Sequence, residues 1–171
     1  SFKNFELVSD GDRMQLEFQL DEISLESVDN YSKIKSKSNS ELSIVGMPKI
    51  PSYTSMLMLN PTKEYSVSYE IKSSYVIDNV DIIPSQSIVD GFEKEIIDEV
   101  NLDFYNSDRS FPNKNVTLSE PQIMRDIVIG NLEITPFNYY PSDRRLEVID
   151  NIIVTVNVIG DTEDIRNREL P

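Results

Sequence analysis

The sequence predicts an all-β fold: an antiparallel β-sandwich of about ten short strands, with room for one short helix. Three observations carry that expectation. Apolar and polar residues alternate with period two in several segments, as in strands with one buried face. Turn-forming Gly, Pro, Asn and Asp recur at intervals of about eight to twelve residues. The 171 residues, 39% of them hydrophobic, suffice for one packed domain.

The elements follow in order. Over residues 14–25, Met14, Leu16, Phe18 and Leu20 alternate with Gln15, Glu17, Gln19 and Asp21, and Ile23 and Leu25 continue the pattern, giving a strand or strand pair. Residues 29–41, rich in Ser, Lys and Asn, read as a polar loop. Lys33, Lys35, Lys37 and Lys49 stand close together there, as a docking patch or a solvated surface. Pro48 and Pro51 forbid a helix at 46–51. A strand over 53–59 ends at Asn60-Pro61, and another follows over 65–72 with Tyr65, Val67, Tyr69 and Ile71 on one face. A further extended segment, 74–83, stops at Pro84. Residues 86–102 admit two readings, a short helix around 92–99 or a long exposed loop with one helical turn. Residues 104–112 read as a loop or short strand. A strand pair over 123–134 breaks near Gly130-Asn131, with Val128, Leu132 and Ile134 in the core. Residues 139–144 form a turn, 145–149 a strand, and Asp150-Asn151 a turn or bulge. In 152–159, the uniformly apolar Ile152, Val154, Val156 and Val158 face the core. The sandwich domain is expected over 1–160, with 161–171 a charged linker or tail.

Composition narrows the function. The net charge of -14 and a pI near 4.3 repel a phosphate backbone and an anionic membrane face, so neither nucleic acid nor membrane is an expected partner. A basic protein surface would be steered in. No apolar run is long enough to span a bilayer. Ser1 in place of a start methionine, with no signal peptide, reads as a trimmed fragment. The chain has neither Cys nor His, which removes disulfides, thiol catalysis, Ser-His and Cys-His dyads and HExxH zinc sites. No cofactor and no catalytic residue are expected. Among thirty acidic residues, pairs at glycosidase spacing arise by chance. Asp10-Gly11-Asp12 lacks the regular ligand spacing of a calcium loop. Phe137, Tyr139 and Tyr140 read as core or corner packing, and the Asn115-Val116-Thr117 sequon as a coincidence.

Six segments occur in a fixed order with characteristic gaps: Gly46-Met47-Pro48-Lys49-Ile50-Pro51, Ile83-Pro84-Ser85-Gln86, Tyr105-Asn106-Ser107-Asp108-Arg109-Ser110-Phe111-Pro112, Leu118-Ser119-Glu120-Pro121-Gln122-Ile123-Met124-Arg125-Asp126, Pro136-Phe137-Asn138-Tyr139-Tyr140-Pro141 and Leu146-Glu147-Val148-Ile149. Together they resemble the N-terminal propeptide of gingipain-type, caspase-like cysteine proteases. The resemblance covers about two-thirds of the chain. It implies a β-sandwich that performs no chemistry, inhibits the protease encoded after it in cis, and assists its folding. It further implies export to the periplasm or cell surface. In that family a loop shortly after the segment matching Ile83-Pro84-Ser85 enters the active-site cleft and presents Arg or Lys to the specificity pocket.

This sequence departs there. Ile88, Val89, Asp90 and Gly91 occupy the matching stretch, and the nearest basic residue is Lys94. Three expectations stand side by side: Asp90 enters a pocket that prefers an acid; a shifted loop inserts Lys94; or the domain is a folding module only, beside a downstream domain without ordinary protease activity. Arg166 and Arg168 are candidate processing sites in the tail. The main alternative function is a secreted β-sandwich binding or adhesion module; a carboxylate-based hydrolase is the other.

Overall fold

A computed structural model describes residues 6–10 and 13–167. Its frame is two five-stranded antiparallel sheets, with two small hairpins attached. The first sheet is organised around a seventeen-residue strand near the C-terminus, β14 (Arg145–Asp161). One edge of β14 pairs with β2 (Arg13–Gln19) and, further back, with β13 (Phe137–Tyr140). Its other edge pairs along its whole length with β7 (Lys63–Ile77). β1 (Glu6–Asp10) extends the sheet beyond β2. The second sheet holds β12 (Ile127–Ile134), flanked on one side by β6 (Ile50–Leu59) and β5 (Ser40–Leu42), and on the other by β10 (Val116–Leu118) and β11 (Gln122–Met124).

Alternation sets the layers. Ile152, Val154 and Val156 are at most 1% exposed while Ile153, Thr155 and Asn157 are half-buried. The buried set meets Leu16 and Phe18 of β2 on its own sheet and Tyr53, Leu57, Leu132 and Ile134 of the opposite one. The Phe18 and Tyr53 rings lie 5.0 Å apart, tilted, a favourable aromatic geometry. A second cluster, around Ile50, Ile82, Phe104, Phe137, Tyr139 and Leu146, fills one end of the sandwich. Phe137 and Tyr139 are thus core residues, and Arg145 stacks on Tyr140 with its guanidinium carbon 4.4 Å from the ring centroid.

Several elements differ from the sequence expectation. The polar stretch 29–41 contains a strand, β4 (Tyr31–Lys35), in a hairpin with β3 (Ser24–Val28) turned at Asp29, φ 52°. Lys33 and Lys35 on one face, and the small polar Ser32 beside Ile34 on the other, masked the pattern, yet Ile34 is buried. Residues 65–77 are one continuous strand, not two, because β7 absorbs a register shift opposite Asn151, at the expected bulge. The break in 123–134 falls at Arg125, φ 57°, while Gly130 stays inside β12. There a Cβ would come within 2.9 Å of Leu59 Cδ1 and 3.1 Å of Leu118 Cδ1; the glycine makes room rather than a turn. No helix forms over 92–99. The helix α1 (Leu102–Tyr105) comes later, where the Asn101 side chain accepts from Phe104 N at 3.1 Å, a standard N-cap.

The segment expected as a linker from 161 begins as part of the domain. Thr162 N donates to Thr62 O, Ile165 N donates to Pro61 O, and Ile165 is buried against the first core. Asn115 is only 6% exposed, its Nδ2 donating to Thr135 O at 2.8 Å. Expression in a glycosylating host is therefore expected to add no glycan at Asn115, which intact-mass measurement checks.

Candidate functional site

The site is built on residues 80–86, an extended segment held on several sides. Ser32 exchanges two backbone bonds with this segment, its N donating to Asp81 O at 2.7 Å and its O accepting from Ile83 N at 3.0 Å. Lys49 N donates to Ile83 O, Ser85 N to Met47 O and Gly46 N to Ser85 O, all within 2.9 Å. Tyr139 Oη donates to Val80 O and Tyr105 Oη to Ile82 O. Burial pushes the Tyr139 phenol up to about 12 and the Tyr105 phenol higher still, so both remain donors at neutral pH. Arg144 closes one end with a bidentate pair to Asp81 at 2.8 and 2.7 Å.

Gln86, 5% exposed, is the hub at the other end. Its Nε2 donates to Glu99 O at 2.9 Å and to Pro84 O and Ser85 O at 3.2 and 3.3 Å. Its Oε1 accepts from Asp98 N and Glu99 N at 3.1 and 3.0 Å. Two carboxylates complete the base. Glu93 accepts from Gln86 N at 2.9 Å and from Lys49 Nζ. Glu99 accepts from Ser87 N and Ser87 Oγ, both at 2.6 Å.

From this base projects a hairpin of β8 (Ile88–Val89) and β9 (Phe92–Glu93). Val89 pairs with Phe92 and Ile88 with Glu93. Asp90 and Gly91 make the turn with φ 52° and 84°. Two positive φ values in a two-residue loop are the type I′ arrangement, for which Asp-Gly is a preferred pair. The tip is apolar and bare: Ile88 is 71% exposed, Val89 53% and Phe92 80%; Ile96, three residues past β9, is 72% exposed as well.

The two carboxylates should give the base a pH signature. Burial raises Glu93, but the bonds from Lys49 and the Gln86 backbone outweigh it and hold the carboxyl below the usual glutamate range. The Ser87 hydroxyl and amide hold Glu99 low as well. A carboxyl depressed in the folded state contributes stability above its unfolded pKa and loses it as pH falls through the folded value. The Gln86 and Ser87 amide resonances are therefore expected to titrate with midpoints below that of an ordinary exposed glutamate; midpoints at or above it would contradict the clamp.

Ile88, Val89, Asp90 and Gly91 thus come together at one projecting tip. Lys94 does not join them. Its amide donates to Ser87 O, and its ammonium is tied to Asp98 at 2.8 Å and Glu99 at 3.3 Å; the bond to Asp98, followed by that to Glu99, holds its pKa up. Arg166 lies in a 3-10 turn (Ile165–Asn167), paired with Asp164 through Nε at 2.9 Å and Nη2 at 2.6 Å, and donating to Asp126 O. Arg168 lies outside the described residues. Of the basic cluster, Lys35 pairs with Glu26 and Lys49 with Glu93 and Glu41. The sequence reading missed Phe92, Ile96 and the hub of Gln86, Glu93 and Glu99. The run Val89-Asp90-Gly91-Phe92 was the available signal, an Asp-Gly pair between apolar residues.

The Propeptide_C25 family model matches residues 6–169. The chain belongs to this family. A C25 propeptide is a non-catalytic domain. Gingipain R2 of Porphyromonas gingivalis is 30% identical over 115 residues, 66% of this chain and 15% of the relative. Gingipain R1 of the same species is 32% identical over 119 residues, 68% of this chain and 12% of the relative. The chain thus spans about a seventh of the length of these curated relatives. Among solved structures, a chain of the complex of Porphyromonas gingivalis RgpB pro- and mature domains superposes with a TM-score of 0.80 at 24% identity, covering 96% of this chain and 90% of that one. A structure on the zymogenic latency of gingipain K superposes with a TM-score of 0.77 at 16% identity, covering 92% and 93%. The C25 propeptide frame described above is therefore the fold of gingipain pro-domains. Among the described residues no helix is long and apolar enough to cross a membrane.

Proposed function

We propose that this domain keeps a gingipain-like cysteine protease, joined to it in one precursor, latent by lodging the β8–β9 hairpin in the active-site cleft, and that it assists the folding of that protease. One observation carries the reading. A hairpin braced at its base by Gln86, Glu93 and Glu99 holds three bare apolar side chains, Ile88, Val89 and Phe92, in solvent. Bare apolar surface on a rigid support marks an interface, and pre-ordering lowers the entropy lost on binding. One solved structure that shares this fold comes from a complex of pro- and mature domains, which is consistent with such a partner. The precursor would act after export, in the periplasm or at the cell surface.

Titration of the purified domain against the separately produced protease tests this. Dose-dependent inhibition is expected, lost when residues 88–92 are replaced by a polar turn. Undiminished inhibition by that variant would refute the hairpin's role, and no inhibition by either would favour an adhesion module.

Arg166 and Arg168 remain the proposed release sites. A protease needs its target extended, and Asp164 holds Arg166 in a turn. Asp164→Ala is expected to speed tryptic cutting after Arg166 by about two- to fivefold, the scale of one exposed ion pair; peptide mapping over time reads it, and an unchanged rate would contradict the restraint.

A further inference from the structure

We infer that Phe92, not Asp90 or Lys94, is the side chain that fills the main pocket of the cognate cleft, and that this pocket is apolar and sized for an aromatic ring. The inference rests on the proposed blocking role of the hairpin and names the chemistry of its target. Among the described residues Phe92 is the most exposed of the large apolar side chains, at 80%. It lies directly across from Val89, so the two project from one face of the hairpin next to the turn. An exposed aromatic on a braced support is the usual form of a binding anchor: two torsions to fix and a large area to bury.

The two ionic candidates are each accounted for by the hairpin itself. Asp90 sits at φ 52° in the first turn position, and Gly91 follows at 84°. That left-handed pair is what closes a two-residue hairpin, and Asp-Gly suits it for backbone reasons alone. A residue held there is not extended, so it cannot lie in a cleft as a peptide substrate does. The same conformation keeps the Asp90–Gly91 bond out of cleavage geometry. Lys94 lies behind β9, its ammonium held by Asp98 and Glu99 and its amide by Ser87 O. Bringing it to the tip would break three interactions and leave the Glu99 carboxylate with Ser87 alone. The face of the hairpin that carries Val89 and Phe92 is therefore apolar, and an apolar wedge requires an apolar recess.

The test uses the domain and the mature protease of its own precursor. Inhibition constants are measured for wild type, Phe92→Ala, Phe92→Leu, Asp90→Asn, Lys94→Ala and the variant with residues 88–92 replaced. In parallel, peptide substrates bearing Phe, Asp, Arg or Lys before the scissile bond are compared. Phe92→Ala is expected to weaken inhibition about thirtyfold or more, as loss of a central anchor does. Phe92→Leu should retain part of it, and Asp90→Asn and Lys94→Ala should stay within about threefold of wild type. The enzyme should prefer the Phe peptide. Phe92→Ala within about threefold of wild type, or an enzyme selective for Asp, Arg or Lys peptides, overturns the inference. If the replacement variant loses inhibition while Phe92→Ala does not, only the Phe92 assignment fails; if the replacement variant inhibits fully, the blocking role fails with it. Since Phe92 packs against no core cluster, its variants should melt with wild type, which thermal unfolding confirms alongside.

Discussion

Ile152→Ala is expected to destabilise the domain by about 3–5 kcal/mol, the upper part of the range for a buried Ile cut to Ala. Ile152 is fully buried at the centre of β14, between Phe18 of β2 and Ile71 of β7 in register. Strands on both sides and the opposite sheet fix its surroundings, so the cavity cannot collapse cheaply. In a domain of this size each kcal/mol moves the melting temperature by about 2–4 °C, so a fall of about 6–20 °C should appear in thermal unfolding, with a matching drop in denaturant midpoint. A loss under about 1 kcal/mol would mean that the two sheets are not packed through this residue.

Gln86→Ala is expected to cost about 2–4 kcal/mol, with the damage concentrated at the hairpin. The substitution removes the acceptor for Asp98 N and Glu99 N and the donor to Glu99 O. Half-buried backbone groups left without partners cost more than the bonds themselves contribute. The amides of residues 86–99 should then exchange faster than those of β14, and inhibition should weaken although the tip is unaltered. If exchange rises uniformly over the domain, Gln86 is a general core residue and not the brace of the hairpin. Gln86→Glu is a useful companion. It keeps the side-chain shape and an acceptor, but sets a third carboxylate beside Glu93 and Glu99, so its defect should shrink on acidification.

The sandwich was legible because its strands are half-buried. Ile152, Val154 and Val156 alternate with residues that stay partly in solvent, and period two survives in the sequence. The expected bulge at Asp150-Asn151 appears as the register shift opposite Ser73. Legibility failed where side-chain chemistry and backbone role diverge. β4 has Lys33 and Lys35 on one face and, on the other, a single deeply buried Ile34 next to the small polar Ser32, so its composition imitates a loop. Gly130 imitates a breaker, yet serves the close approach of Leu59 and Leu118. Around the site, the position of the projecting tip followed from the resemblance in residues 83–86. Its brace did not, because Gln86 bonds to Asp98 and Glu99 twelve and thirteen residues on, and nothing in local periodicity records such a pairing. The apolar residues of 88–97 imitate a helical face for the same reason: Phe92 and Ile96 point to solvent rather than to a core. The tail was misjudged through one residue, Ile165, an isolated hydrophobe that inserts beneath Pro61 without any period around it.

Amide hydrogen exchange of the domain alone and in a mixture with its active-site-intact protease tests the central claim most directly. Strong protection of residues 88–92 on mixing, lost when the cleft is first filled by a covalent active-site inhibitor, is the result expected of a hairpin that plugs the catalytic groove. Unchanged exchange at those residues in a mixture that nevertheless forms a complex would contradict it.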